Sequence, residues 1–293
     1  MTMLRLHARA KINWTLDVLG KRPDGYHNLD MLLQSVTLQD TLTIQPAAEL
    51  SLETTGWPKI RVDERNLVLR AAQALIQTTG TKLGARIRLE KRVPMGAGMG
   101  GGSADAAAAL LGLNKLWDLR LTHEALERIG LSIGADVPFC VRGGLQRAGG
   151  VGEVLHPLET PRVLFLVAVQ PCRGLSTKDV FAALRLEDIA PVHRPNNDRA
   201  MVALKAGDLP GLASAMGNVL EPVAANLRPE IQGCVARIRA TGAIRAQMTG
   251  SGSAIFGVYA TERDARAALG ALRCVYRNIW VMSTAKEGVV FEP

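Results

Sequence analysis

Across residues 4–18 every even position is apolar: Leu4, Leu6, Ala8, Ala10, Ile12, Trp14, Leu16 and Val18. A period of two places successive side chains on opposite faces of a strand, so the run predicts one strand longer than average. The odd positions carry His7, Arg9, Lys11, Asn13, Thr15 and Asp17. A face this polar is either solvated or lines a site. Residues 20–25 (Gly-Lys-Arg-Pro-Asp-Gly) read as a turn, and a second strand pattern follows near 34–44. Residues 66–77 change to helical spacing through Leu67, Ala71 and Leu75 and through Val68, Ala72 and Ile76, with Gly80 just beyond. Ala85, Ile87 and Leu89 alternate with Arg86, Arg88 and Glu90, another strand.

The second half of the pattern begins with a helix at 122–132 and a loop at 134–141 that enters an apolar strand. Residues 162–170 form a buried-strand run, and a Pro-, His- and Asn-rich loop lies at 190–198. Helices are expected near 198–206, 208–218 and 229–240, and strands at 245–248, 254–259 and 275–281. Thr261 caps one further helix, with Asp264 at the capping-box position. Strands and helices alternate in both halves, which predicts an α+β or α/β protein. A boundary before the buried strand divides the chain into domains 1–158 and 159–293.

Between the strand at 85–90 and an alanine-rich helical run at 106–113 lie five glycines in seven positions: Gly96, Gly98, Gly100, Gly101 and Gly102. Glycine lets backbone N–H groups converge without a Cβ in the way, and a helix N-terminus adds unpaired N–H groups and partial positive charge. Strand, glycine loop and helix together make an anion site, most often for phosphate. The alternative is a linker or tight turn, but a linker would not run into a strong helix former with Ser103 and Asp105 placed for capping. Gly-Lys-Ser/Thr is absent, so this is not a Walker A loop. Gly96, Gly98 and Gly101 satisfy G-x-G-x-x-G, a weak pattern alone. The second strand and acidic residue of a dinucleotide fold do not follow, and Pro94 is wrong for a central strand entering the loop.

Composition narrows the partners. With 47% hydrophobic and 21% charged residues the chain can bury a core and is not disordered. Aromatics at 4% argue against a base-stacking surface for single strands. A net charge of +8 suits anionic ligands, and because the basic residues are scattered it favours a small anion over nucleic acid. Cys140, Cys172, Cys234 and Cys274 lie far apart, indicating neither zinc nor a disulfide framework but reduced thiols in a cytosolic protein. The N-terminal segment is too charged for a signal-peptide core, and no apolar run reaches membrane-spanning length.

Four segments together carry a recognisable signature: Ala8-Arg-Ala-Lys-Ile-Asn13 followed by Gly20-Lys-Arg-Pro-Asp-Gly-Tyr-His27; residues 94–107; Gly134-Ala-Asp-Val-Pro138; and Met248-Thr-Gly-Ser-Gly-Ser-Ala-Ile-Phe256. In order and spacing the chain resembles the galactokinase, homoserine kinase, mevalonate kinase and phosphomevalonate kinase (GHMP) superfamily. Its opening pair resembles the family within it that phosphorylates 4-diphosphocytidyl-2-C-methyl-D-erythritol. The resemblance implies an α+β, two-domain fold, with an N-terminal nucleotide-binding domain, a ferredoxin-like C-terminal domain and the active site in the cleft between them. It implies transfer of the ATP γ-phosphoryl group to the 2-hydroxyl of the erythritol moiety, in the cytoplasm, within the non-mevalonate isoprenoid pathway. The alternatives are another superfamily kinase, for homoserine or mevalonate, or a basic nucleic-acid-binding protein.

The same resemblance implies residue roles. Asp136 is the expected base and Lys11 its cationic partner. Asn66 and Leu67 border the adenine. Pro94, Met95, Gly96, Ala97, Gly98, Met99, Gly100, Gly101, Gly102, Ser103 and Ala104 form the ATP phosphate loop. Asn13, Tyr26, His27, Thr177, Phe181, Gly250, Ser251 and Gly252 are expected on the substrate side. Tyr26, His27 and Phe181 would take the cytosine ring. Mg²⁺ is implied with its ligands unassigned. The chain departs from the family at Ala104, where a second serine is usual, and at Asn218-Val-Leu-Glu221, which keeps part of an Asn-Asp-Leu-Glu pattern and receives no role. The partners expected are ATP and a small cytidine diphosphate substrate, with no nucleic acid and no membrane, and the chain is expected to be a monomer or weak homodimer.

Overall fold

The computed structural model describes residues 3–57, 59–159 and 162–293. Two strands dominate the N-terminal half. β1 (Leu4–Lys21) and β2 (His27–Ala47) pair antiparallel along almost their whole length. The predicted turn joins them, with Arg22 N–H donating to the Tyr26 carbonyl at 2.7 Å. β3 (Ser51–Gly56) was not predicted, and it pairs parallel with β4 (Gly84–Lys91). The sheet runs β12–β1–β2–β4–β3, where β12 (Val289–Phe291) is the C-terminal strand. β5 (Leu145–Gly149) pairs with β2 and with β6 (Val154–Leu158), and the two-residue β8 (Gly217–Asn218) pairs with β1.

The unbroken alternation in β1 does not produce one continuous apolar face. Register breaks fall between Arg9 and Lys11 and between Asn13 and Thr15. Leu6, Ala8, Leu16 and Val18 enter the core that includes the helices packed on this sheet, whereas Ala10, Ile12 and Trp14 enter a second core. Bulges re-aim side chains without changing the sequence period. The odd residues Lys11, Asn13, Thr15 and Asp17 are all buried, so this polar face lines a site rather than facing water.

α1 (Leu67–Thr79) starts and stops where expected. The Asn66 side chain accepts from Val68 N–H, and Gly80 ends the helix in the left-handed conformation. α2 (Gly101–Leu116) corrects the expected caps. It begins at Gly101, so Gly101, Gly102, Ser103 and Asp105 are helical, and Gly100 with φ 68° is the N-cap. Alanine-rich chain propagates back into the glycines because the surrounding packing stabilises the first turn. Asp105, instead of capping, is buried with its carboxyl 2.7 Å from Lys91 Nζ. α3 (His123–Ile133) is capped by Thr122 as read. The loop expected over 134–141 contains the short helix α4 (Val137–Arg142), with Asp136 at its N-cap position, and the strand it was expected to enter follows as β5. Pro138 fits a first helical turn, and a five-residue apolar run does not by itself separate buried helix from buried strand.

The C-terminal half holds a four-stranded antiparallel sheet, β11–β7–β10–β9, from β7 (Phe165–Val169), β9 (Arg245–Met248), β10 (Ile255–Tyr259) and β11 (Ile279–Ser283). With α9 (Glu230–Ala240) before β9 and α10 (Glu262–Leu272) before β11, the order is β-α-β-β-α-β, a ferredoxin-like unit. Between β7 and α9 lie α5 (Thr177–Ala183), α6 (Asn197–Ala206), α7 (Leu209–Ala215) and α8 (Glu221–Leu227). The helix expected over 208–218 stops at Ala215, α8 was not anticipated, and the last strand starts four residues later than expected. No helix among the described residues is long and apolar enough to cross a membrane. The second core lies between the halves: Trp14 of β1 meets Phe256 of β10 edge-on, ring centroids 5.8 Å apart.

Candidate active site

Lys11 sits at the centre of the buried polar face of β1. Its backbone N–H donates to the Met99 carbonyl at 2.9 Å, tying the strand to the glycine loop. Its ammonium lies 3.0 Å from Asn13 Oδ1 and 3.7 Å from Asp136 Oδ2. The Lys11 side chain is 5% exposed and that of Asp136 37%, so a buried cation faces a carboxylate that solvent and a ligand can reach.

The glycine loop alternates in burial. Ala97 and Met99 are anchored in the second core, whereas Gly96, Gly98, Gly100 and Gly102 are not buried. A Cβ on Gly98 would come within 2.1 Å of the Thr249 carbonyl oxygen, and one on Gly100 within 3.0 Å of Lys11 Cγ. Gly98 is therefore required by close backbone approach as well as by positive φ, and Gly100 by its positive φ with the Lys11 side chain packed against it. This is a cradle of N–H groups at the start of α2, which fits an oligophosphate. Pro94 is buried, and Met95 is 52% exposed at the loop entrance. Ser103 Oγ lies 3.9 Å from where a Gly134 Cβ would stand, which brings the loop beside the segment carrying Asp136. Ala104 is fully buried in α2 and presents nothing to the cradle.

Asn66, Leu67, Met95 and Gly102 line one pocket of about 340 Å³, with Lys91 and Asp105 at its inner end. Asn66 also braces the loop before it, donating to the Arg61 carbonyl at 2.8 Å. Lys91 binds Asp40 at 2.5 Å and Asp105 at 2.7 Å, all three buried. Burial and the neighbouring Asp40 charge push the Asp105 carboxyl up to about 8 against the pull of Lys91. Asp105 Oδ1 is buried without a partner.

The second glycine turn, between β9 and β10, closes on the first. Asn13 Oδ1 accepts from Lys11 Nζ, from Gly250 N–H at 3.0 Å and from Thr249 Oγ1 at 3.2 Å. Asn13 is fully buried, so its carboxamide ties together strand and turn. A Cβ on Gly250 would meet the Gly98 carbonyl at 2.7 Å, and one on Gly252 would meet Met248 Sδ at 2.6 Å. Ser251 Oγ pairs with Thr177 Oγ1 at 2.8 Å. Thr177 opens α5, and one turn later Phe181 stacks on His27, ring centroids 5.0 Å apart and tilted by 32°. Burial and the nearby Lys21 lower the His27 pKa, which favours a neutral imidazole. Tyr26 is 65% exposed at the rim. A continuous series of contacts thus links Lys11 and Asp136 to the turn, to Thr177 and to the His27–Phe181 pair.

Residues without a role in the sequence reading complete this framework. Asn218 Nδ2 donates to the Met248 and Gly250 carbonyls at 3.0 and 2.8 Å, and Glu221 accepts from Met248 N–H at 2.6 Å. The partly kept Asn-x-x-Glu pattern was their one signal. Lys91 and Asp40 carried none, because each reads as an ordinary strand charge until the fold brings them together.

Residues 66–144 match the family model for the GHMP kinases N terminal domain, and residues 200–278 that for the GHMP kinases C terminal. A 4-diphosphocytidyl-2-C-methyl-D-erythritol kinase from Moorella thermoacetica is 44% identical over 286 residues, covering 97% of this chain and all of the relative. One from Alkaliphilus metalliredigens is 40% identical over 279 residues, covering 95% of each. A crystal structure of a 4-(cytidine 5'-diphospho)-2C-methyl-D-erythritol kinase is 36% identical and superimposes with a TM-score of 0.83, covering 96% of this chain and 99% of that one. A homoserine kinase from Cytophaga hutchinsonii, 18% identical with a TM-score of 0.76, shares the fold.

Proposed function

The chain belongs to the 4-diphosphocytidyl-2-C-methyl-D-erythritol kinases of the GHMP family, and from that premise we propose that it phosphorylates the 2-hydroxyl of 4-diphosphocytidyl-2-C-methyl-D-erythritol with ATP. The observation that carries the reading is the Lys11–Asp136 pair at 3.7 Å, set between a phosphate cradle and the linked His27–Phe181 rings.

In this reading the glycine loop, with Ser103, holds the phosphates through backbone N–H groups, and Asn66, Leu67 and Met95 border the adenine. Asp136 orients the 2-hydroxyl and takes its proton as the new oxygen–phosphorus bond forms and the bond to the leaving ADP oxygen breaks. Lys11 faces the Asp136 carboxylate at 3.7 Å and balances charge on the transferred group, already held in place so that no reorganisation is needed. His27 and Phe181 stack on cytosine, with Tyr26 over the rim. Thr177, Ser251 and the Gly250 and Gly252 backbone border the sugar-diphosphate side, and Asn13 positions both that turn and Lys11. Bound Mg²⁺ would neutralise the phosphates. Among the described residues no group of three or more His, Cys, Asp or Glu side chains surrounds a common point. The donor set therefore fits an ion carried by the nucleotide rather than a protein cage.

The same proposal covers the coarser organisation. The nucleotide domain spans 1–158 and the substrate-side domain 159–293, with β12 returning to the first sheet. The protein works in the cytoplasm as a monomer or weak homodimer without nucleic acid. A coupled ADP-release assay with Mg-ATP tests the activity, with the cytidylyl alcohol, homoserine and mevalonate compared side by side. Turnover with the cytidylyl alcohol alone is expected. Turnover with homoserine or mevalonate instead would overturn the cytidine pocket.

A further inference from the structure

A second pocket, of about 400 Å³, lies on the other side of the glycine-loop entrance. It contains none of Lys11, Asp136, His27, Thr177 or Phe181, and of the residues assigned to the nucleotide it takes only Pro94 and Met95, at the entrance of the loop. One wall is Trp57, 72% exposed yet fixed by its backbone: its N–H donates to the Lys91 carbonyl at 3.1 Å. Gly56, with φ +86°, passes so close to Lys91 that a Cβ would stand 2.3 Å from that carbonyl oxygen. An indole held in solvent by its main chain, rather than by burial, is presented as a surface. Trp280 at the start of β11 lines the same pocket.

The charge lining the pocket has one sign. Arg92 and Arg173 contribute guanidinium groups, and no carboxylate is among its described lining residues. Arg92 is paired with Glu90 at 2.7 Å, whereas Arg173 has no carboxylate within ion-pair distance among the described residues. Two indoles with two guanidiniums suit a ligand that joins a flat ring to an anion: indoles stack on bases, and guanidiniums grip phosphate in a bidentate fashion. We propose that this pocket is a second binding site, for a small aromatic anion of the nucleoside-phosphate class, distinct from the ATP and cytidine sites.

The pocket is also joined mechanically to the phosphate loop. Gln170, on its wall, donates from Nε2 to the Met95 carbonyl at 3.0 Å. Gly174 packs so tightly on Gly96 that a Cβ would be 2.3 Å from the Gly96 carbonyl oxygen. A ligand seated against Met95 and Gln170 therefore bears on the first residues of the loop. Its binding and that of the nucleotide are linked by one reciprocal coupling factor. This coupling, unlike the pocket itself, rests on the proposed nucleotide site.

The test is calorimetric titration of guanosine 5′-monophosphate into the full-length protein, with ADP and CDP present at saturation, alongside tryptophan fluorescence. One further 1:1 event with a dissociation constant between about 0.01 and 1 mM is expected, with quenching. Arg173→Ala and Trp57→Ala should each weaken it at least about tenfold, while ADP binding and turnover stay within about twofold. No saturable event up to about 10 mM overturns the proposal. So does an event unchanged in both variants, or one seen only when ADP or CDP is omitted. ADP titrated alone distinguishes failure of the nucleotide pocket: loss of that binding counts against the proposed function and leaves this site to be judged by its own variants.

Discussion

Asp105 lies in the first turns of α2 and Asp136 at the N-cap position of α4, and their surroundings assign them opposite chemistry. Asp136 is open to a ligand and faces Lys11. Asp136→Asn keeps the shape and removes the proton acceptor, so kcat should fall at least about a hundredfold while the ATP dissociation constant stays unchanged. Single-turnover kinetics with equilibrium nucleotide binding checks this, and near-normal turnover removes Asp136 from the mechanism. Asp105 is sealed beside Lys91 and Asp40, its carboxyl raised from 3.8 to about 8. Between those values the folded state holds a proton that the unfolded chain has released, so stability is lost as pH rises through that window. Asp105→Asn keeps the neutral shape at every pH. Its melting temperature relative to the unmodified protein should therefore rise from about pH 6 to about pH 9. A flat difference would mean that Asp105 is already ionised at the lower pH.

At the scale of elements, the site depends on two glycine turns lying backbone to backbone. Gly98 has φ +74°, and the Thr249 carbonyl oxygen occupies the space a Cβ would need. Gly98→Ala imposes left-handed strain of about 1–2 kcal/mol and forces the two turns apart. The expected outcome is loss of most turnover together with a lower denaturation midpoint. A stable, active Gly98→Ala enzyme would show that the turns need not touch. The loop was legible as a strand, glycine turn and helix start because these follow one another in the chain. Its partner turn was legible only as a hairpin, because Asn13, Asn218 and Glu221 reach it from distant parts of the sequence.

For the whole molecule, a net charge of +8 accompanies the proposed binding of two polyanions. Raising ionic strength from about 0.02 to 0.2 M shortens the Debye length from about 20 to 7 Å. kcat/KM should then fall several-fold, while kcat, set inside the closed contacts of Lys11 and Asp136, changes less than about twofold. Stopped-flow and steady-state rates across a salt series test this. A salt-independent kcat/KM would mean that the scattered charge does not steer substrate. The second core, where Trp14 meets Phe256, holds the two sheets together and so keeps Lys11 next to the turn between β9 and β10.

By itself the sequence determined what local chemistry encodes, namely the long first strand, the capped α1 and α3 and the glycine loop, and through motifs spread along the chain it determined the family. Periodicity and capping act over a few residues, and those features need no more. Only the tertiary structure decided which face of β1 is buried, because bulges redirect side chains without altering their alternation. It also decided that Asp105 is an interior carboxyl beside Lys91 and Asp40 rather than a cap, and that residues 137–142 are helix. Those outcomes depend on Lys91, Asp40 and packing against α2, contacts between residues far apart in the chain whose energies no local pattern records.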